Sequence, residues 1–178
     1  MTYLFAWLIA DFISGVVHWW EDRSSTTNSS IAFLNQVRLD NERHHKMPGY
    51  LTRYSWWSNI NTTAPFAWTA AVISFFLGAP DLMWLVLFFL GFGNLVHRWA
   101  HDSKSRRPYI VRVLQAIGLL ISENHHAGHH FEGVHLVKRE ESRYRFCVMS
   151  NWLNPWLDAV DFWGKLERLL HCISGKKL

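Results

Sequence analysis

Cysteine is nearly absent: Cys147 and Cys172 are the only two in 178 residues, and neither belongs to a Cys-x-x-Cys pair. That excludes a disulfide framework and counts against thiolate-held iron–sulfur clusters. Positive charge is missing from two long stretches. Residues 1–22 and 54–97 hold no Lys or Arg, although the chain has 18 in all. The first ten residues therefore lack the basic start of a secretory signal, and no small-residue cleavage site follows, so the first apolar run is expected to be retained as a helix.

What is present comes in blocks. Mean hydropathy is close to zero at −0.03, yet apolar and charged residues are segregated along the chain. The 11 Trp are concentrated at the ends of apolar runs, including Trp19, Trp20, Trp56, Trp57, Trp99, Trp152, Trp156 and Trp163. Indole rings favour the membrane–water boundary. A helix crosses the hydrocarbon core with roughly 20 apolar residues. Runs over about 3–20, 64–78 and 82–99 meet or approach this, the last two joined by the turn signal Gly78-Ala79-Pro80-Asp81. A fourth run, about 109–121, is too short to span and suits an interfacial helix. The expected fold is all-α: one domain over 1–178, an integral membrane bundle of about three transmembrane helices plus interfacial helices. Five Lys/Arg lie between the first and second spans and thirteen from Arg98 onward. Three spans put both regions on one side, which the positive-inside rule makes cytoplasmic.

Eight of the 11 histidines fall in four clusters: His18; His44 and His45; His97 and His101; and His126, His129 and His130. His125, His135 and His171 stand outside the set. Neutral imidazole is the commonest protein metal ligand. His18 and Asp22 are four residues apart and share a helix face, as do His97 and His101. Positions 126, 129 and 130 also share one face. Adjacent His44 and His45 diverge on a helix, so one could bind metal while the other supports it. Asp11 lies deep in the first run, where a carboxylate is costly and commonly functional. It and Asp22 are candidates for additional ligands or outer-sphere acids. Asp158 and Asp161 fit better as caps of a surface helix. Eight imidazoles exceed the needs of one ion, and iron, copper, nickel and zinc all accept imidazole. Two irons completed by water and carboxylate fit the count best. A bis-histidine haem would leave six imidazoles unexplained, and a metal transporter would need polar ligands along a path through the bilayer.

The ordered boxes resemble a known family. They are Ala10-Asp11-Phe12-Ile13-Ser14-Gly15-Val16-Val17-His18-Trp19 with Asp22; His44-His45-Lys46-Met47-Pro48; His97-Arg98-Trp99-Ala100-His101; Gly118-Leu119-Leu120-Ile121-Ser122 running to His126-x-x-His129-His130; and, after Cys147, Asn151-Trp152-Leu153-Asn154-Pro155-Trp156-Leu157-Asp158. The set is similar to the lipid desaturases that include Kua proteins, plasmanylethanolamine desaturase and the plant plastid enzyme that forms a trans double bond in phosphatidylglycerol acyl chains. The resemblance runs from about residue 9 to 167. It implies a di-iron, dioxygen-dependent oxidoreductase with His18, His44, His45, His97, His101, His126, His129 and His130 at the metals. It also implies a membrane lipid substrate and an external electron donor of cytochrome-b or ferredoxin type, with no nucleic-acid partner. The 151–155 ending resembles the branch that converts a plasmanyl alkyl ether to a vinyl ether slightly more than the branch that desaturates ester-linked acyl chains. The chain departs from the pattern after His130. Phe131–Tyr144 is longer and charged, and Arg145-Phe146-Cys147 stands where the family has Tyr-Cys, often preceded by Asn or His; His135 is a substitute candidate.

Overall fold

A computed structural model describes residues 1–24, 31–130 and 145–174, which form helices joined by short connections. In chain order these are α1 (Thr2–Ser24), α2 (Ala32–Lys46), a 3-10 turn (Pro48–Arg53), α3 (Trp56–Phe76), α4 (Asp81–Leu90), α5 (Gly93–His101), α6 (Tyr109–Ala116), α7 (Glu123–His130), α8 (Leu153–Ala159) and α9 (Phe162–Ser174). No strand occurs among the described residues. His135 and the 131–144 departure lie outside them.

Two stretches are long and apolar enough to cross a membrane: Thr2–Asp22, and Asp81–His101, which takes in α4 and α5. They coincide with the first and third expected runs. The middle run forms the second half of the 21-residue helix α3, whose first half is polar, with Ser58, Asn59, Asn61, Thr62 and Thr63. Ser55 caps that helix, its hydroxyl accepting from the Ser58 amide at 3.0 Å. Gly78 at φ 70° closes it and reverses the chain into α4.

Between α4 and α5 the helix is interrupted at Gly91-Phe92. A Cβ on Gly91 would lie 2.0 Å from Trp68 Nε1, so only glycine admits the Trp68 ring there. The Trp68 indole donates to the Phe88 carbonyl at 2.9 Å, and Thr63 Oγ1 donates to the Gly91 carbonyl at 3.1 Å. α3 thus pairs the carbonyls that the break leaves open, as a polar backbone in an apolar setting demands.

The main core packs α1 on α4, where Ala6 and Ala10, both fully buried, let the helices approach Leu85 and Val86. A second core surrounds Trp19, Phe146, Cys147 and Trp163. Through both runs the extended segment 145–151, whose backbone is satisfied by side chains rather than by a sheet. The Asp11 carboxylate accepts from the amides of Met149 (2.9 Å) and Ser150 (3.1 Å) and from the Ser150 hydroxyl (2.6 Å). Asn154 pairs both ways with the Cys147 backbone, at 3.0 and 2.8 Å. On the far side the Ile121 amide donates to the Met149 carbonyl at 2.9 Å.

The last apolar run is less helical than expected. α6 stops at Ala116 because Gly118 turns at φ 76°, and the Ile121 and Ser122 amides donate to the Met149 carbonyl and to Asn151 Oδ1 instead. Asp161, also at positive φ, precedes α9: its carbonyl accepts from the Lys165 amide at 3.0 Å and its carboxylate pairs with Arg168 at 2.7 Å.

Candidate metal centre

Four helices deliver the clustered histidines to one place. α1 brings His18 and Asp22 from its last turns. α2 is a polar helix braced by Arg38–Glu42 (2.6 Å) and Gln36–Asp40 (2.8 Å), and it brings His44 and His45 just before Pro48 ends it. α5 brings His97 and His101; α7 brings His126, His129 and His130.

The nine side chains form two groups. His44, His97, His101, His126 and His130 make the first; His18, Asp22, His45 and His129 make the second. Within each, the ligand atoms all lie within 4.8 Å of one another. Neighbours on one helix split between the groups. His44 goes to the first and His45 to the second; His126 and His130 go to the first and His129 to the second. The roughly 100° between consecutive helical residues makes α2 and α7 the shared walls.

In the first group His97 Nε2 stands 2.8 Å from His126 Nε2, 3.1 Å from His44 Nε2 and 3.3 Å from His101 Nε2, and His130 Nε2 is 3.0 Å from His126 Nε2. A ring nitrogen carries one proton or one lone pair, so His97 Nε2 has no way to satisfy three such neighbours by hydrogen bonding. Ligand nitrogens about 2.0–2.1 Å from a common metal ion stand roughly 3 Å apart. The observed spacings fit that arrangement.

Burial, and then the surrounding imidazoles, hold His44, His126 and His130 below the ordinary histidine value. All three are neutral at neutral pH, with a lone pair free to bind. Their buried Nδ1 atoms have no partner among the described residues, so the inward-facing nitrogens are their sole polar engagement.

The second group is centred on Asp22. Its Oδ1 lies 2.8 Å from His45 Nε2, its Oδ2 lies 3.1 Å from His129 Nε2 and 3.7 Å from His18 Nε2, and Asn41 Nδ2 donates to Oδ1 at 2.8 Å. His18 Nε2 and His129 Nε2 are 2.9 Å apart. Phe146 packs on the His129 ring, with centroids 5.2 Å apart, and seals this side. Three imidazoles and a carboxylate form a donor set suited to a divalent transition metal.

Asp11, by contrast, belongs to neither group; its two oxygens are engaged by Met149 and Ser150. His125 also stays out. Its Nε2 faces Asn154 Nδ2 at 3.2 Å, and burial, followed by the nearby Arg145, lowers its pKa to about 4. His171 is exposed on α9. Sequence reasoning missed Asn41 and Asn154. Asn41 carries a signal, since it precedes His45 by four residues and so shares its helix face; Asn154 has none, because its bond to residue 147 is tertiary.

A family model described as the lipid desaturase domain matches residues 7–177. The chain belongs to the lipid desaturase family. Its relatives include fatty acid desaturase 4-like 2, chloroplastic, of Arabidopsis thaliana, 30% identical over 174 residues, covering 95% of this chain and 58% of the relative. Plasmanylethanolamine desaturase 1 of Mus musculus is 29% identical over 188 residues, covering 96% and 64%. Plasmanylethanolamine desaturase of Myxococcus xanthus is 26% identical over 180 residues, covering 97% and 60%. The chain therefore spans about three-fifths of the length of these lipid desaturases. No solved structure matches. The two histidine groups are consistent with a metal site in a lipid desaturase.

Proposed function

We propose that this chain is a membrane di-iron desaturase that introduces a double bond into a lipid chain. The carrying observation is the pair of adjacent ligand groups sharing α2 and α7 within a lipid desaturase domain. In this reading His44, His97, His101, His126 and His130 hold one iron, and His18, Asp22, His45 and His129 hold the other. Bound iron supplies the redox chemistry with dioxygen that side chains lack. Overall, a CH2–CH2 unit, dioxygen, two electrons and two protons give CH=CH and two waters. The electrons come from an electron-transfer protein of cytochrome-b or ferredoxin type.

The chain's own residues bind, orient and shield. Asn41 holds the Asp22 carboxylate towards His45 and His129. Phe146 and the buried histidine rings keep bulk water from the donors. The unpaired lone pairs of His44, His126 and His130 need no deprotonation before metal enters.

The protein crosses the bilayer three times, through α1, α3 and α4–α5. Support comes from the apolar residues these helices expose, among them Tyr3, Phe5, Phe66, Ile73, Phe75, Phe76, Met83 and Phe88. A water-soluble monomer rarely shows such a belt. The histidines and the Lys/Arg-bearing segments then share the cytoplasmic side.

The preferred substrate is the alkyl ether of a plasmanyl phospholipid, converted to a vinyl ether. Relatives named plasmanylethanolamine desaturase that align with nearly all of this chain support it. The Arabidopsis relative favours ester-linked acyl chains as the second reading. Membranes carrying the iron-loaded protein, a reductant and each lipid class separate the two. Acid-labile aldehyde release reports the vinyl ether, and a new double bond in released fatty acids reports acyl desaturation. Neither product, with iron bound and electrons delivered, rejects the desaturase assignment.

A further inference from the structure

α6 has two apolar sides, and the fold uses only one. Val111 and the side chain of Gln115 face inward, and Leu114 packs on the main core. Tyr109 (74% exposed), Ile110 (60%), Val113 and Ile117 (60%) line the opposite side. Their positions at i, i+1, i+4 and i+8 make one continuous helical face. That face runs on into α8. The Trp152 indole donates to the Ile117 carbonyl at 3.3 Å, and Gly118 leaves room for the ring. Trp152, Trp156 (75% exposed) and Val160 then follow at intervals of four along α8.

Charge around the α6 half of this surface has one sign; on the α8 half, Asp158 is half-buried and Asp161 pairs with Arg168 at 2.7 Å. Lys104, Arg106 and Arg112 are exposed, and no carboxylate occurs between Ser103 and Ser122. The flanking acids are engaged: Asp102 with Arg98, and Glu123 with Arg107 at 2.8 Å. Arg112 lies over the Tyr109 ring, 5.6 Å from its centroid, at the border between the basic edge and the apolar face.

We propose that the α6–α8 surface seats in the headgroup–acyl boundary of an anionic lipid leaflet and sets the depth of the histidine groups in it. A helix of eight residues is about 12 Å long and cannot span. An apolar face with aromatic ends and a cationic edge is the pattern of a helix lying in the interface plane. Lys and Arg beside it are drawn to acidic headgroups. α6 is also tied to α7. Arg107 donates to Gln115 Oε1 and to Glu123 Oε2, both at 2.8 Å, while Gln115 Nε2 donates to the Ile121 carbonyl at 2.9 Å. Whatever plane α6 takes, the first turn of the helix bearing His126, His129 and His130 follows.

The inference rests on the membrane reading above, and its test separates the two. The full chain, with Cys172→Ser and the buried Cys147 retained, is labelled with an environment-sensitive fluorophore at Val113→Cys, Ile117→Cys or Trp156→Cys. Val72→Cys on exposed α3 reports the bilayer, and Gln36→Cys on α2 reports water. Each variant goes into nanodiscs of phosphatidylcholine with or without phosphatidylglycerol. The expected result at 113, 117 and 156 is quenching by lipids spin-labelled near the headgroup, protection from aqueous iodide, and a blue shift that grows with phosphatidylglycerol. Replacing Lys104, Arg106 and Arg112 together by Gln removes that growth. Iodide quenching at these sites while Val72→Cys is quenched by lipid overturns the interfacial seat alone. Protection from both quenchers means a protein covers the surface and overturns it too. Iodide quenching at Val72→Cys rejects the membrane reading itself.

Discussion

His44 and His45 are consecutive on α2, yet their ring nitrogens serve different groups: His44 Nε2 is 3.1 Å from His97 Nε2, and His45 Nε2 is 2.8 Å from Asp22 Oδ1. Substituting them one at a time should therefore empty different ends of the centre. His44→Ala and His45→Ala are each expected to lower bound metal from about two ions per chain towards one, and activity by 100-fold or about that. Elemental analysis of purified protein checks it. Full metal retention by either variant would remove that residue from the donor set.

Asn41 reaches the centre only through Asp22. Asn41→Ala should weaken metal binding about 10–100-fold while leaving the fold intact, as outer-sphere partners do elsewhere. Asn41→Asp should be worse, because it sets a second carboxylate against Asp22. Competition with a chelator of known affinity gives the ranking, and circular dichroism verifies the helices. Equal affinity in all three proteins contradicts the positioning role.

The Asp11 carboxylate serves the backbone. Asp11→Ala strands the Met149 and Ser150 amides in the core, at about 1–3 kcal/mol for each buried unsatisfied group. Asp11→Asn keeps an acceptor oxygen and should recover part of that loss. Thermal unfolding in detergent is expected to rank wild type, Asn and Ala in that order, with Asp11→Asn still binding its full metal complement. Metal loss in a folded Asp11→Asn protein would make Asp11 a ligand after all.

Acid should attack the metal-free protein through its buried imidazoles. His44, His126 and His130 have folded-state pKa values below the ordinary 6.5. The unfolded chain therefore binds more protons once pH falls below about 6.5, and stability drops from there downward. Above that value both states are neutral and the contribution is complete. Melting temperatures between pH 7.5 and 5 should fall on acidification, less steeply in His130→Gln. A flat profile across this range counts against neutral burial of the cluster.

Much of the centre was legible because helical spacing is local. The pairs 18/22, 97/101 and 126/130 lie four residues apart, and four residues return a helix to the same face. The two stretches long and apolar enough to cross a membrane were legible from their apolar runs. Asp11 was not, since an acid in an apolar run reads alike as a ligand or as a backbone cap, and its partners lie 138 and 139 residues away. The break at Gly91-Phe92 was hidden inside an apolar run, and what decides it is the approach of Trp68 from another helix. The premature end of α6 was similarly concealed, because Leu119–Ile121 are apolar but their backbone bonds go to Trp7, Leu114 and Met149 rather than to a continuing helix. The separation of His44 from His45 followed from helix geometry, but which group each would join required the other helices.

The bracing of 145–151 by Asp11 also imposes an order of events on the newborn chain. α1 leaves the ribosome carrying His18 and Asp22 long before Ser150 is made, so the Asp11 carboxylate must wait for partners 138 and 139 residues further on. Phe146, which covers the second ligand group, arrives with the same segment. A chain halted after His130 but before Phe146 would hold all eight clustered histidines and still lack the clasp that closes over them. The second ligand group is thereby covered only after residues far along the chain have been made.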